Sequence, residues 1–208
     1  MWIQIVWFNI IKDLSQNSRN PQHNSSVTRD ARTAEKKRTG PKLAERKIKM
    51  AIRNIRLEKD EILKKKSREI EVIDDKIQTL IDDMIETMYK YNGVGLAAVQ
   101  VGVLKRVVVI DVEDGEGVRV LINPKITSTK GEQEVDEGCL SFPNQYARVI
   151  RPKEVTVEAL DRSGKKIVIK AKDLLAQAIC HELDHLEGIT FVDQMIPGTL
   201  EIVENQKN

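Results

Sequence analysis

The fold is constrained most by residues 172–187, where apolar side chains recur at helical spacing and two histidines lie four positions apart. Gly188 follows directly and is a suitable C-cap, so we predict a helix over this range. Two residues four positions apart on a helix are separated by only about 40° around the axis and about 6 Å along it. His181 and His185 can therefore bind one metal ion while the apolar side of the helix packs into a core. The apolar positions are Leu174, Leu175, Ala178, Ile179 and Leu186.

The residues around the two histidines indicate hydrolytic chemistry. Residues 181–185 read His-Glu-Leu-Asp-His, which places Glu182 next to the first histidine. A carboxylate in that place can act as general base for water activated by a metal. The alternative is that both histidines lie on a polar helix surface. The chain has three histidines, and the third, His23, lies in a polar segment, so a pair at ligand spacing favours the metal site.

A hydrolytic site needs a third protein ligand and an open position for water. Cys139 is the better candidate, because it lies in the sequence Glu-Gly-Cys-Leu-Ser at 137–141, where glycine permits close approach and a thiolate ligates strongly. Glu187 and Asp193 are formally available as well. Cys180 immediately precedes His181 and points about 100° away around the helix, so we predict that it lies in the core.

A run of small residues at 93–100 reads Gly-Val-Gly-Leu-Ala-Ala-Val-Gln. By itself the run indicates a tight, closely packed segment. It lacks the Lys-Ser or Lys-Thr pair of a phosphate-binding loop and precedes a strand rather than a helix. Its last residue, Gln100, carries an amide that can donate a hydrogen bond to a developing oxyanion.

The remaining periodicity predicts an α+β domain. Apolar residues at helical spacing between Ile73 and Met88 predict a first helix that ends at the Asn-Gly pair at 92–93. Period-two or short apolar runs predict four strands, at 106–112, 118–122, 155–160 and 166–170. Turn residues at 161–164 predict that the last two strands pair as an antiparallel hairpin. This order favours a helix packed on an antiparallel sheet.

Charge divides the chain into two parts. Residues 1–49 contain 11 Lys or Arg against 4 Asp or Glu, whereas the remainder contains 23 against 28. The remainder has no basic patch with interleaved aromatic residues, so direct nucleic-acid binding is not expected. Residues 13–47 have almost no large apolar side chains, which predicts a disordered extension. The apolar stretch at 1–11 is too short to span a membrane and does not resemble a secretory signal.

Together the three motifs resemble the peptide deformylase family, whose signatures are Gly-x-Gly-apolar-Ala-Ala-x-Gln, Glu-Gly-Cys-Leu-Ser and His-Glu-x-x-His in this order. The resemblance implies a catalytic domain at 50–208, with antiparallel sheets packed around a central metal-binding helix. It also implies that Cys139, His181 and His185 hold the metal. The other implied roles are general base and acid for Glu182, oxyanion hole for Gln100 and the Leu140 amide, and backbone contacts to the substrate for Val94 and Gly95.

The resemblance implies hydrolysis of the N-terminal formyl group from formyl-methionyl nascent polypeptides, with release of formate. The implied metal would lower the pKa of water when bound, and Glu182 would take a proton from the water that attacks the formyl carbon and then give it to the departing amine. One divalent ion is implied, Fe(II) in the cell, with Zn, Ni or Co able to substitute. A methionine side chain also requires an apolar pocket. Helical spacing from His181 indicates Leu174, Gln177 and Ala178 for its wall, together with Val94.

Three alternatives stay open. A zinc endopeptidase shares the paired histidines but needs an open cleft for a continuous chain. A metal-stabilised binding protein of the same fold would need neither Glu182 nor Gln100. In a third alternative Cys139 is a covalent nucleophile, which a thiolate already bound to a metal performs poorly.

The ends of the sequence carry two further expectations. We expect residues 1–49 to lie outside the working enzyme, with Met50 as the native first residue and a cytoplasmic location. The alternative is an organellar transit peptide, because the segment is basic and contains serine. Some members of the resembled family carry a longer C-terminal helix that docks on the ribosome. This sequence ends soon after Gly198, so we expect any ribosome association to be transient.

Overall fold

The structure is a computed structural model in which residues 51–204 are described. The predictions for residues 1–49 and for a start at Met50 lie outside the described residues. The described chain begins with a segment that contains no helix or strand, residues 51–58, which we call the N-terminal strap. A short 3-10 helix, Glu61–Lys64, follows it. Within residues 51–204, no helix is both long enough and apolar enough to cross a membrane.

Two antiparallel sheets and three α-helices make up most of the remaining described residues. The helices are α1 (Asp75–Lys90), α2 (Asp173–Glu187) and the short α3 (Phe191–Gln194), with a second 3-10 helix at Ala98–Val101. The strands are β1 (Gly95–Ala97), β2 (Val107–Ile110), β3 (Arg119–Lys130), β4 (Gln133–Cys139), β5 (Phe142–Arg151), β6 (Glu154–Leu160), β7 (Lys166–Lys172) and β8 (Glu201–Ile202). The first sheet has the order β1-β2-β3-β6-β7, and the second has the order β4-β5-β8.

Helix α1 begins at a side-chain cap and buries one stripe. The Asp74 carboxylate accepts hydrogen bonds from the backbone of Lys76 and Ile77, which satisfies amides that the start of a helix leaves free. The helix ends at Lys90, and Asn92 then takes a left-handed φ of 53°. The chain therefore turns at the predicted Asn-Gly pair. The buried apolar stripe is Leu80, Ile81, Met84 and Met88.

The first sheet is covered on both faces. Val107 and Val109 of β2 belong to the core cluster formed with α1, whereas Val108 and Ile110 belong to the cluster formed with α2. All four side chains are buried. Two-sided burial explains why β2 reads as a continuous apolar run instead of an alternating one.

Helix α2 is the central element, because it contacts strands of both sheets and both 3-10 helices. Its C-terminus is held by the chain that follows the first 3-10 helix. The Ser67 amide donates to the Leu186 carbonyl at 2.8 Å. Gly188 takes the left-handed C-cap conformation, with φ of 75°, and a Cβ there would lie 2.5 Å from the Lys64 carbonyl oxygen. Only glycine fits this contact.

The α+β class is confirmed, and both predicted helices and all four predicted strands are present. The predicted hairpin is confirmed as β6 and β7, in which Leu160 lies opposite Lys166. The predicted second strand is too short, because β3 continues from Ile122 to Lys130. Four strands are missing from the sequence prediction: β1, β4, β5 and β8. Strand β4, for example, alternates exposed charges such as Glu134 and Asp136 with partly buried positions, so its apolar period is weak.

Candidate metal centre and catalytic site

Three ligand-type side chains meet where β4 ends against α2. Cys139 is the last residue of β4, and His181 and His185 lie one turn apart on α2. One ligand atom of each residue lies within 4.8 Å of the other two. The Cys139 Sγ atom is 3.2 Å from the His185 Nε2 atom. A thiolate and two imidazoles so close together fit a divalent transition metal, and three protein ligands is the number typical of catalytic sites.

A buried ion-pair network orients the first histidine. The Glu137 Oε2 atom lies 2.9 Å from the His181 Nδ1 atom. Arg151 donates to both oxygens of Glu137, at 2.7 and 2.9 Å, and to the Asp184 carboxylate at 2.5 Å. Burial raises the pKa of Glu137, but the hydrogen bonds from Arg151 and His181 outweigh burial and lower the pKa to about 2. An ionised Glu137 keeps the Nδ1 proton of His181 and leaves its Nε2 atom for a metal.

The environments of the two histidines differ. Burial lowers the pKa of His185 well below its usual value, and the neighbouring His181 lowers it further. That shift favours the neutral imidazole, which is the form that ligates metals. The pKa of His181 moves the other way, because hydrogen bonds to Cys139 and Glu137 outweigh the lowering effect of burial.

Glu182 is the buried acid next to this cluster. Its Oε2 atom has no hydrogen-bond partner within residues 51–204, which leaves that atom free to interact with water or substrate. Burial raises the pKa of Glu182 to about 7. Gly95 makes room for the carboxylate, because a Cβ at Gly95 would lie 2.4 Å from the Glu182 Oε1 atom. Position 95 therefore requires glycine, because the Glu182 carboxylate approaches its backbone closely.

Gln100 is fixed with its amide nitrogen toward the cluster of Cys139, His181 and His185. Its Oε1 atom accepts a hydrogen bond from the Ala97 backbone N–H at 2.8 Å, which determines the orientation of the amide. Its Nε2 atom then donates to the Cys139 Sγ atom at 3.4 Å and to the Ser141 hydroxyl at 3.2 Å. The sequence prediction assigned no role to Ser141, although it is the last residue of the motif that contains Cys139 and is fully buried.

A cavity of about 510 Å³ opens beside these residues. Its lining includes Cys139, His181 and Glu182, together with exposed residues such as Leu57 and Tyr91. Two segments that the sequence patterns did not indicate also line the cavity. The N-terminal strap contributes Asn54, Ile55 and Leu57. The start of β5, directly after residues 137–141, contributes Phe142, Pro143, Asn144 and Tyr146. These lining residues come from separate segments of the chain.

Two of the predicted pocket residues line the cavity, and two do not. Val94 and Ala178 belong to the lining. Leu174 instead packs against the core cluster, because seven residues along a helix displace it about 10 Å from His181. The Gln177 amide donates to the Asp136 carbonyl oxygen at 3.0 Å and connects α2 with β4. Leu174 and Gln177 are therefore not wall residues in this structure.

The alternative third ligands are occupied elsewhere. Glu187 pairs with Lys66 and Arg106 at 2.6 and 2.5 Å, and Asp193 pairs with Lys64 at 2.6 Å. Neither belongs to the metal-type cluster found within residues 51–204. Cys180 is buried in the core cluster, as predicted, and burial raises its pKa to about 11.

Comparison with known proteins identifies the family. Residues 52–200 match the family model described as polypeptide deformylase. The chain belongs to the polypeptide deformylase family. It is 60% identical over 147 residues to the peptide deformylase of Acetivibrio thermocellus, covering 71% of this chain and 85% of that protein. It is 59% identical over 146 residues to peptide deformylase 1 of Clostridium acetobutylicum, covering 70% and 96%.

Solved structures of polypeptide deformylases are similar as well. The crystal structure of a peptide deformylase from Legionella pneumophila is 49% identical, with a TM-score of 0.68, covering 71% of this chain and 88% of that chain. A peptide deformylase from Synechococcus elongatus in complex with actinonin is 41% identical, with a TM-score of 0.67, covering 70% and 81%. This chain is therefore an enzyme, a hydrolase that removes the N-terminal formyl group from nascent peptides.

Proposed function

We propose that this chain hydrolyses the formyl group of formyl-methionyl nascent polypeptides with one divalent metal ion and with Glu182 as general base and acid. The observation that carries the proposal is the buried Glu182 carboxylate beside the cluster of Cys139, His181 and His185, all four of which lie at or next to one cavity. No other group of three or more His, Cys, Asp or Glu side chains close enough to hold one metal ion is found within residues 51–204.

Cys139, His181 and His185 would hold the ion. When bound, a divalent ion supplies Lewis acidity that lowers the pKa of water and polarises a carbonyl group. We propose Fe(II) as the ion in the cell, with Zn, Ni or Co able to substitute, because the same ligand set accepts several first-row metals. The charge network of Glu137 and Arg151 supports this assignment, since it keeps His181 in one orientation.

Glu182 would transfer the proton. A pKa of about 7 suits a group that accepts a proton from the attacking water and then returns it to the departing amine. Water adds its oxygen to the formyl carbon, the bond from that carbon to nitrogen breaks, and the amine leaves with the proton from Glu182. The products are formate and a peptide with a free N-terminal methionine.

Gln100 and Leu140 would stabilise the oxyanion. The Gln100 Nε2 atom is aimed at Cys139 because its oxygen is held by the Ala97 N–H. The Leu140 backbone amide is the second proposed donor, and Leu140 lines the cavity. Removal of one such donor costs roughly 10²- to 10³-fold in kcat in comparable sites.

The substrate would lie in the cavity along the small-residue run. Val94 and Gly95 are the proposed backbone contacts, and Val94 with Ala178 forms part of the wall for the methionine side chain. A formyl group carries hydrogen where other amides carry carbon, so a cramped site accepts it and rejects internal peptide bonds. Because the substrate is a nascent chain, we further propose a cytoplasmic location and transient contact with the ribosome.

Release of formate from formyl-Met-Ala-Ser tests the activity. An internally quenched peptide with a blocked N-terminus is the control for an endopeptidase, and we expect the chain to leave that peptide intact. Cleavage of the blocked peptide without release of formate would contradict the proposal.

Metal content tests the ligand assignment. After anaerobic purification we expect about one equivalent of metal, and Cys139→Ala should lose most of it together with activity. Cys180→Ala is the matched control, since that thiol is buried in the core and should keep both metal and activity. Stoichiometric metal and full turnover in Cys139→Ala would rule Cys139 out as a ligand.

Exposure to air tests the proposed iron. The Fe(II) form should lose activity in air through oxidation of the ion and its thiolate ligand, whereas the Ni(II) form should be protected. An iron-loaded enzyme that is fully stable in air would contradict the choice of metal.

A further inference from the structure

The N-terminal strap forms one wall of the substrate cavity. Asn54, Ile55 and Leu57 line the cavity, on a segment that contains no helix or strand. Leu57 is 51% exposed, and Asn54 is exposed as well. Glu182, at the catalytic side of the cavity, is only 4% exposed. The strap therefore lines the open part of the cavity rather than the part where the formyl group reacts.

A buried carboxylate on helix α1 holds the start of this strap. Asp83 is 4% exposed and accepts a hydrogen bond from the Ala51 backbone N–H at 2.8 Å. The same carboxylate accepts from the Arg53 Nε atom at 3.0 Å and lies 2.8 Å from its Nη2 atom. Thr87, one turn later on α1, accepts from the Arg53 backbone N–H at 2.9 Å. These four contacts all end on the Asp83 and Thr87 side chains.

Two further contacts hold the rest of the strap. The Arg56 N–H donates to the Gln100 carbonyl oxygen at 2.7 Å. The Gln145 amide, on β5, donates to the Glu58 carboxylate. The strap is thus attached at its start to α1, in its middle to the residue that carries the proposed oxyanion donor, and at its end to the second sheet.

We infer that Asp83 is a positioning residue for the substrate: by holding Ala51 and Arg53, it fixes the strap as the wall that contacts the peptide beyond the formylated methionine. The inference rests on the proposed function, because it requires the cavity to bind a formylated peptide. Asp83 does not line the cavity, and the residue that follows Arg53 does.

Entropy explains why such a wall needs to be held. Fixing the backbone of each residue costs conformational entropy, and the strap has no ladder of backbone hydrogen bonds to offset that cost. Without Asp83, its first residues would leave α1 for part of the time. A peptide that uses the wall would then have to order the strap when it binds, which weakens binding without changing the catalytic groups.

The experiment compares two substrates on matched variants of the full-length, metal-loaded chain. The variants are Asp83→Asn, Arg53→Ala and the control Asp82→Asn. Asp82 is the preceding residue on α1 and also pairs with an arginine, Arg162 at 2.8 Å, but that arginine lies on the β6-β7 turn and not on the strap. The substrates are formyl-Met-Ala-Ser and formyl-Met amide, which lacks the residues after methionine.

We expect Asp83→Asn to raise KM for formyl-Met-Ala-Ser about tenfold, as the loss of one good contact does, with kcat within about twofold of the unaltered chain. KM for formyl-Met amide should not change, and Asp82→Asn should match the unaltered chain on both substrates. If Asp83→Asn does not fold, Arg53→Ala carries the same expectation, because it removes the partly exposed partner of the same ion pair.

Three results would overturn the inference: an equal rise in KM for both substrates, a fall in kcat, or an unchanged KM in both Asp83→Asn and Arg53→Ala. The proposed function fails separately: in that case the unaltered chain releases formate from neither substrate, and the inference falls with it.

Discussion

The two long helices have similar lengths but differ in how many residues they bury and in the polarity of those residues. Helix α1 has 16 residues and buries six of them: four apolar residues that pack with strands of the first sheet, and Asp83 and Thr87, which contact the strap. Helix α2 has 15 residues and buries ten, on several sides, because strands of both sheets and both 3-10 helices contact it. The buried set of α1 is mostly apolar, whereas that of α2 includes His181, Glu182 and His185.

This difference shows what allows polar groups to lie inside the domain. A stripe of four apolar side chains stabilises α1 mainly through burial, and its one buried charge, Asp83, is paired with Arg53. Helix α2 carries three ionisable groups into the interior, where pairing is needed to offset the loss of water around a charge. Arg151 and Glu137 provide that compensation for His181. The interior side chains of helix α2 therefore depend on residues from β4 and β5, whereas those of α1 do not.

The largest expected effect is the fall in kcat caused by Glu182→Gln on α2, for which the same substitution on α1 is the control. Glu182→Gln should keep the metal and lower kcat at least ~10²-fold, because general acid–base catalysis contributes 10²- to 10⁴-fold. Glu86→Gln on α1 should leave kcat within about twofold. Steady-state formate release together with metal analysis measures both. Near-normal turnover by metal-loaded Glu182→Gln would remove Glu182 from the mechanism.

Arg151→Met tests whether the interior of α2 depends on its ion pairs. The change leaves Glu137 buried without its cation, so we expect the free energy of unfolding to fall by about 3 to 5 kcal/mol. Arg148→Met is the matched control on the same strand. Arg148 and its partner Glu134 are about half exposed, and the loss should stay below about 1 kcal/mol. Urea unfolding of both variants gives the values, and similar losses would contradict the comparison.

Met84→Ala tests the apolar stripe of α1. Met84 is fully buried, and truncating such a side chain costs about 2 to 5 kcal/mol of unfolding free energy. Because α1 supplies no proposed catalytic group, kcat and metal content should not change at a temperature where the variant is folded. A fall in kcat with full metal content would show that α1 positions the catalytic groups more directly than its contacts indicate.

The smallest expected effect is at the end of α2. Gly188→Ala combines a left-handed φ with a clash against the Lys64 carbonyl, so we expect a loss of about 1 to 3 kcal/mol. Gly198→Ala is the control, since Gly198 has a similar φ of 82° and no atom within 4 Å of an added Cβ. The difference between their melting temperatures isolates the clash. Equal melting temperatures would mean that the chain near Lys64 moves aside freely.

Much of the candidate site was predictable because its motifs are local. The spacing of His181 and His185, the acid between them and the glycine that admits it are all readable along short stretches. The fold was harder to predict from the sequence where strands are short or carry charge on one side, as in β1 and β4. Such strands are defined by pairing with a neighbour, and a single strand does not carry that information in its own apolar period.

The sequence by itself therefore determined the two helices, the β6-β7 hairpin, the α+β class and the residue types at the metal cluster, since each depends on neighbours within a few positions. Only the tertiary structure decided which of the predicted wall residues reach the cavity. It also decided that Arg151, Ser141 and the N-terminal strap belong to the site. Ser141 lies 41 positions from Gln100, and Asp83 lies 32 positions from Ala51. Contacts at such separations arise from packing, and nothing in the local periodicity of either partner specifies them.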